Sequence, residues 1–252
     1  MIPFMKLPFL NRDEEQRRLR GVLAAPGGEL AVVYGRRRCG KSTLIQNVLG
    51  GDDIYFLADQ REAPLQIQAL AQVVERVFPG FSSAHYPTWD ALLKGLRGRA
   101  TNRLNLILDE FPYLARNAPE LPSLLQGYLD SQGKKNINIL LCGSSQRMMQ
   151  GLVLDRTAPL YGRAREILRI EPLGAGWIPD ALDLHDDEAI EAYALWGGVP
   201  RYWELAQPHG GGLAAARELI LDCKGVLHEE PPRLLLDELR TTGQAFSLLS
   251  LI

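Results

Sequence analysis

The chain has 252 residues, 46% of them hydrophobic and 23% charged, with a net charge of −2. That composition suits a globular protein with one large α/β domain, or a large domain and a small one. No eighteen-residue apolar run occurs, the three cysteines form no C-x-x-C, and the four histidines are scattered. These features argue against a membrane span, a disulfide framework and a protein-held transition metal, and they fit a cytoplasmic setting.

The N-terminal nine residues are too short and too Pro-interrupted for a signal peptide. An amphipathic helix is predicted near 13–24, followed by a β-branched apolar run, Leu30-Ala31-Val32-Val33-Tyr34, that suits a buried parallel strand. Helical spacing resumes over 42–49, and Gly50-Gly51 stops it. Further strands are expected at 54–57, 104–108, 137–141 and 166–170, with helices near 62–77, 88–99 and 119–131 between them. Such alternation implies a parallel sheet covered on both faces. Pro172, Gly174, Gly176 and Pro179 break the pattern. Helices are predicted beyond them at 186–196, 200–207 and 212–224. The chain ends on an apolar stretch, 246–252, that reads as the start of a further domain in a longer parent protein. The expected division is a core at 1–171, a helical lid at 172–235 and the beginning of a C-terminal domain at 236–252. Residues 1–170 carry 23 Lys/Arg against 16 Asp/Glu, net +7, and residues 171–252 carry 5 against 14, net −9. Either the two parts are differently solvated surfaces or the acidic part docks on the basic one.

Gly35-Arg36-Arg37-Arg38-Cys39-Gly40-Lys41-Ser42 is G-x-x-x-x-G-K-[ST], set between a strand and a helix. This is a P-loop, and it implies a nucleoside triphosphate ligand. Gly35 and Gly40 let the backbone N–H groups curl into an anion nest, and the helix that begins near Lys41, with Ser42 and Thr43 in its first turn, adds its dipole. Lys41 is expected on the β/γ oxygens and the Ser42 hydroxyl on Mg²⁺. The side chains of Arg36, Arg37 and Arg38 are expected at solvent or on acids elsewhere.

Asp109-Glu110 ends the apolar run Leu104–Leu108, where an α/β sheet places its ligand. Asp109 suits a Mg²⁺ carboxylate, either direct or acting through a water or another ligand, and Glu110 suits the base that orients and polarises an attacking water. After the next strand comes Cys142-Gly143-Ser144-Ser145. A hydroxyl there can sense the γ-phosphate or hold the water, and Ser144 and Ser145 are both candidates, with Ser144 preferred. In Leu160-Tyr161-Gly162-Arg163, Arg163 is the candidate for a guanidinium that stabilises transition-state charge.

Together these segments are similar to the archaeal-type ATPase family, within the STAND branch of AAA+-related P-loop ATPases. Phe9-Leu10-Asn11-Arg12-Asp13-Glu14 resembles its N-terminal box, and Val33–Ser42 its phosphate loop. Leu108-Asp109-Glu110-Phe111-Pro112-Tyr113 resembles its acidic strand end, and Trp196-Gly197-Gly198-Val199-Pro200-Arg201-Tyr202 its GGVPxY signature. Cys39 and Ser42 depart from the usual Val and Thr without removing a needed group. The resemblance implies a three-layer P-loop NTPase fold, with a parallel five-stranded sheet in the order 5-1-4-3-2 and a small helical lid. It implies that Asn11 and Arg12 lie toward the adenine and that Pro200 approaches the base from the lid.

The function expected is ATP binding and Mg²⁺-dependent hydrolysis, with ATP or ADP as the ligand and a lid/core switch as the output. The alternative is a nucleotide-bound, non-catalytic interaction or DNA-associated regulatory module. A GTPase is disfavoured because N-K-x-D is lacking, and Glu110 beside Asp109 favours water over a kinase acceptor. A protein partner or self-association is left open, and DNA is expected only through a further C-terminal domain.

Overall fold

Five short runs of apolar residues form one all-parallel sheet in the computed structural model, which describes Leu7, residues 9–131 and residues 136–238. The strands are β1 Leu30–Tyr34, β2 Ile54–Leu57, β3 Leu104–Asp109, β4 Ile137–Gly143 and β5 Glu166–Arg169. Their spatial order is β2-β3-β4-β1-β5, which is the expected 5-1-4-3-2 read from the other edge. β3 and β4 are buried at every position, as a strand covered on both faces requires.

Successive strand side chains point to opposite faces, and the packing follows that rule. Leu30, Val32, Ile54, Phe56, Leu106, Leu108, Ile139 and Leu141 join one core. That core also takes residues from α3 Ala63–Glu75, α4 Trp89–Arg99, α5 Phe111–Asn117 and α6 Leu121–Asp130. The alternate residues Ala31, Val33, Ile107 and Leu140 are also buried, on the face that carries Tyr55, Asp109 and Cys142. α1 Asp13–Leu23 and α2 Lys41–Gln46 supply Leu19, Val22, Leu44 and Ile45, each fully buried.

Asn105 and Asn138 sit opposite each other near the starts of β3 and β4, both buried. Asn138 Nδ2 donates to Asn105 Oδ1 at 3.0 Å, and Asn105 Nδ2 donates to Asp53 Oδ1 at 2.7 Å. The Glu29 N–H donates to Asn138 Oδ1 at 3.2 Å. The buried amides are therefore satisfied, and the string of bonds touches the entries of β2, β3, β4 and β1.

The chain divides into two compact units. The sheet unit is Asp13–Gly35 with Lys41–Ile170, and the other is Met1–Arg12, Arg36–Gly40 and Glu171–Ile252. Leu7, residues 9–12 and residues 36–40, expected in the core, thus group with the helical segment. Leu7 and Leu10 pack on its apolar cluster, which explains the first grouping. The helices of this second unit are α8 Ile178–Leu182, α9 Asp186–Trp196, α10 Pro200–Ala206, α11 Leu213–Ala216 and α12 Glu230–Glu238. Trp196 and Trp203 anchor its core, and their indole N–H groups donate to Gly211 O at 2.5 Å and Gly197 O at 2.6 Å. α12 runs through the expected boundary at 235/236, and the rest of the expected C-terminal domain, from 239, lies outside the described residues.

Among the described residues the predicted strands and long helices are present, but four α-helices were not anticipated. These are α5, α7 Gln146–Met149 (continued by a π-helical turn, Gln150–Leu154), α8 and α12. The expected helix at 212–224 is α11 followed by a second π turn, Arg217–Leu221.

Candidate nucleotide site

The phosphate loop leaves the C-terminal end of β1. Gly35 has φ +146°, and an added Cβ would lie 2.3 Å from the Ile170 carbonyl oxygen. No L side chain fits there, so the glycine is required by both conformation and space. Lys41 opens α2, is buried, and donates from Nζ to Gly35 O at 2.9 Å, bridging the two ends of the loop.

One helical position on, Ser42 Oγ donates to Asp109 Oδ2 at 2.7 Å. The two residues expected at the metal thus meet across 67 positions of sequence. Asp109 is only 1% exposed. Its Oδ2 also accepts from the Tyr55 hydroxyl at 2.6 Å, and its Oδ1 accepts from the Glu110 N–H at 2.9 Å. A buried carboxylate needs such donors, or a cation, to offset its lost hydration. Tyr55 was not picked out from sequence. The usable signal was strand period: with β2 beside β3 and Leu57 opposite Asp109, Tyr55 lies on the same face and diagonal to Asp109.

Burial and the Asp109 carboxylate push the Cys142 thiol well above its usual range, so it is a neutral packing group. Burial and the same carboxylate raise the Tyr55 phenol, which remains a donor at neutral pH.

Glu110 takes a left-handed conformation, φ 53° and ψ 41°, at the start of α5. Ser144 Oγ donates to Glu110 Oε1 at 2.7 Å, and the Ser144 N–H reaches Oε2 at 3.3 Å. Ser145 instead caps α7, its hydroxyl accepting from the Met148 N–H at 3.4 Å. The structure thus separates the two candidate serines, and Ser144 is the one that touches an acid of the site. Among the described residues, the non-glycine positions with positive φ are Asn11, Arg38, Glu110 and Asp183. Three of these four were assigned to the site from sequence, and strain of this kind concentrates where function holds it.

Arg163 does not join this group. Its guanidinium forms a two-point ion pair with Asp130, at 2.8 and 2.7 Å, and it donates to Pro159 O at 3.0 Å. Two residues on, the Arg165 N–H donates to Leu30 O at 2.8 Å, beside the first residue of β1. The phosphate loop leaves the far end of β1, about 15 Å away at the rise of a strand. The role facing the γ-phosphate expected for Arg163 therefore does not hold within one chain.

The other expected residues lie in the second unit. Arg12 is buried and donates to Glu171 O at 2.5 Å, while Asn11 is exposed. Pro200 opens α10, where its missing N–H costs nothing. Before it, Gly198 packs so closely that a Cβ would lie 1.9 Å from Leu173 O, and the Leu173 N–H donates to Gly198 O at 2.7 Å. Arg38, inside the phosphate loop, lies 2.9 Å from Glu230 Oε1, with that N–H not aimed along the contact, and 5.8 Å from the Tyr202 ring centroid. The Tyr202 hydroxyl donates to the same Glu230 oxygen at 2.8 Å. An acid elsewhere was the sequence expectation for these arginines, and Glu230 is that acid for Arg38.

Solved structures share this fold. The Walker-type ATPase PABY2304 of Pyrococcus abyssi is 22% identical, with a TM-score of 0.67 over 90% of this chain and 75% of that one. The ORC2 protein of Aeropyrum pernix, in its ADP form, is 18% identical with a TM-score of 0.58, over 81% of this chain and 64% of that one. The signal transduction ATPase with numerous domains PH0952 of Pyrococcus horikoshii reaches a TM-score of 0.50 at 15% identity, over 79% and 30%. At these identities the likeness is one of fold, and the fold is that of the P-loop ATPases. Residues 9–205 match the family described as an ATPase domain predominantly from Archaea, and the chain belongs to that family. A curated relative, the uncharacterized protein MJECL04 of Methanocaldococcus jannaschii, is 33% identical over 202 residues, which is 78% of this chain and 43% of that protein. The chain thus spans less than half the length of this relative.

Proposed function

We propose that the chain binds ATP and hydrolyses it slowly with Mg²⁺, and that nucleotide state governs the helical unit. The observation that carries the reading is the Ser42 Oγ–Asp109 Oδ2 contact at 2.7 Å, which joins the phosphate loop to the acidic strand end. A serine hydroxyl and one buried carboxylate fit Mg²⁺, which keeps most of its shell for water and phosphate oxygens. Bound there, the ion would supply charge neutralisation at the phosphates.

The chain's own groups divide the remaining work. Lys41 supplies a buried positive charge at the phosphates, and the loop N–H groups orient them. Glu110 takes the proton of the attacking water, and Ser144 holds the carboxylate by both oxygens until then. That hold supports slow turnover, because the base must leave a hydrogen-bonded position to act. It also favours, as a second reading, a module in which ADP is a long-lived ligand.

Phosphate release and nucleotide affinity test the proposal. Wild type is expected to turn over ATP with Mg²⁺, and Lys41→Ala to lose nucleotide binding. Undiminished ATP affinity in Lys41→Ala would overturn the assignment of the loop, and tight ADP binding with no turnover would select the second reading.

A further inference from the structure

Asp109 receives two hydroxyls on one oxygen. Ser42 has two duties, because its oxygen lone pair would meet the cation while its O–H donates to Asp109. Tyr55 comes from a different strand and has no such second duty. Its ring is half-buried, and its 2.6 Å bond is the shorter of the two.

We propose that Tyr55 is a positioning residue for the metal site, fixing the Asp109 carboxylate through a hydroxyl that the ion itself does not engage. This rests on the reading of Ser42 and Asp109 as the Mg²⁺ residues. A carboxylate ligand pinned by an outer hydrogen bond keeps one orientation, and loss of such a bond commonly costs about 10–100-fold in metal affinity. A tyrosine that merely filled space would do as well without its oxygen.

The test compares wild type with Tyr55→Phe in two titrations on the full chain. The first measures ATP affinity by calorimetry as Mg²⁺ is raised from an EDTA baseline. The second follows Mn²⁺ with ADP by electron paramagnetic resonance, which needs no turnover. Tyr55→Phe is expected to need roughly tenfold more Mg²⁺ for half-saturation. Affinity in EDTA should stay as in wild type, and kcat should recover at saturating Mg²⁺. An unchanged metal requirement in folded Tyr55→Phe overturns the proposal, as does an equal loss of affinity with and without metal. Wild type that binds ATP equally well in EDTA and in Mg²⁺ overturns the metal reading beneath it, and that failure appears before any variant is made. Should Tyr55→Phe not fold, Tyr55→Met, which fills the space without a hydroxyl, carries the same comparison.

Discussion

Replacing Glu110 with glutamine removes the proposed base and leaves its surroundings almost intact. The amide oxygen can accept the Ser144 N–H now shared with Oε2 at 3.3 Å, and the amide NH₂ can donate to Ser144 Oγ, now 2.7 Å from Oε1. A hydrogen bond to a charged acceptor becomes a neutral one, a difference of about 1 kcal/mol. In a chain of this size that lowers the melting temperature by roughly 2–4 °C. General-base catalysis contributes about 10²–10⁴ in rate, equivalent to about 3–5 kcal/mol of barrier. Glu110→Gln is therefore expected to bind ATP and Mg²⁺ like wild type and to release phosphate at least about 100-fold more slowly. Stopped-flow phosphate release under single-turnover conditions, with affinity measured in parallel, reads both halves. A rate within a few-fold of wild type would refute the assignment of Glu110, and a large loss of affinity would show that its carboxylate serves binding or folding instead.

Gly198→Ala must push a methyl group into the Leu173 backbone and stretch the 2.7 Å bond from Leu173 N to Gly198 O. Overpacking and a lost hydrogen bond together cost about 2–4 kcal/mol, so the urea midpoint should fall clearly, and wild-type stability would contradict the close approach. Burial and its bond to Glu230 push the Tyr202 phenol up to about 12, from an ordinary 10.0. The unfolded chain therefore loses this proton first as pH rises. The stability contribution is full below pH 10.0, declines between there and about 12, and is gone above. Tyr202→Phe should flatten that stretch of the alkaline unfolding curve, and an unaltered slope with early tyrosinate absorbance in wild type would count against the contact.

Much of this was legible because the physics was local. Val32 and Val33 announce a buried strand, Gly35 and Gly40 a phosphate nest, and Asp109-Glu110 at the end of an apolar run an acid pair that needs a purpose. The strand order came from the family resemblance, since alternation alone leaves the order of parallel strands open. α5 was missed because it has only seven residues with a proline in its first turn, and α12 opens Glu230-Pro231-Pro232, which reads as a break. The π turns Gln150–Leu154 and Arg217–Leu221 carry no distinct sequence period. Arg163 lies away from the phosphate loop within one chain, which its motif could not show, because a motif gives a residue type but not which end of the strands it sits at. Tyr55 and Glu230 act through neighbours distant in sequence, so a linear reading has no purchase on them.

The string of amides through Asn105 and Asn138 has a consequence at the other end of the sheet. β3 and β4 are buried on both faces, so apolar burial alone sets their register only weakly and tolerates a slip. Such a slip would part Asn138 from Asn105 and leave buried amides without partners, at about 1–3 kcal/mol for each orphaned group. The asparagines therefore act as a vernier: set at the strand entries, they fix which residue of β3 arrives last. That residue is Asp109, delivered to Ser42 and Tyr55 by an alignment decided a full strand length away.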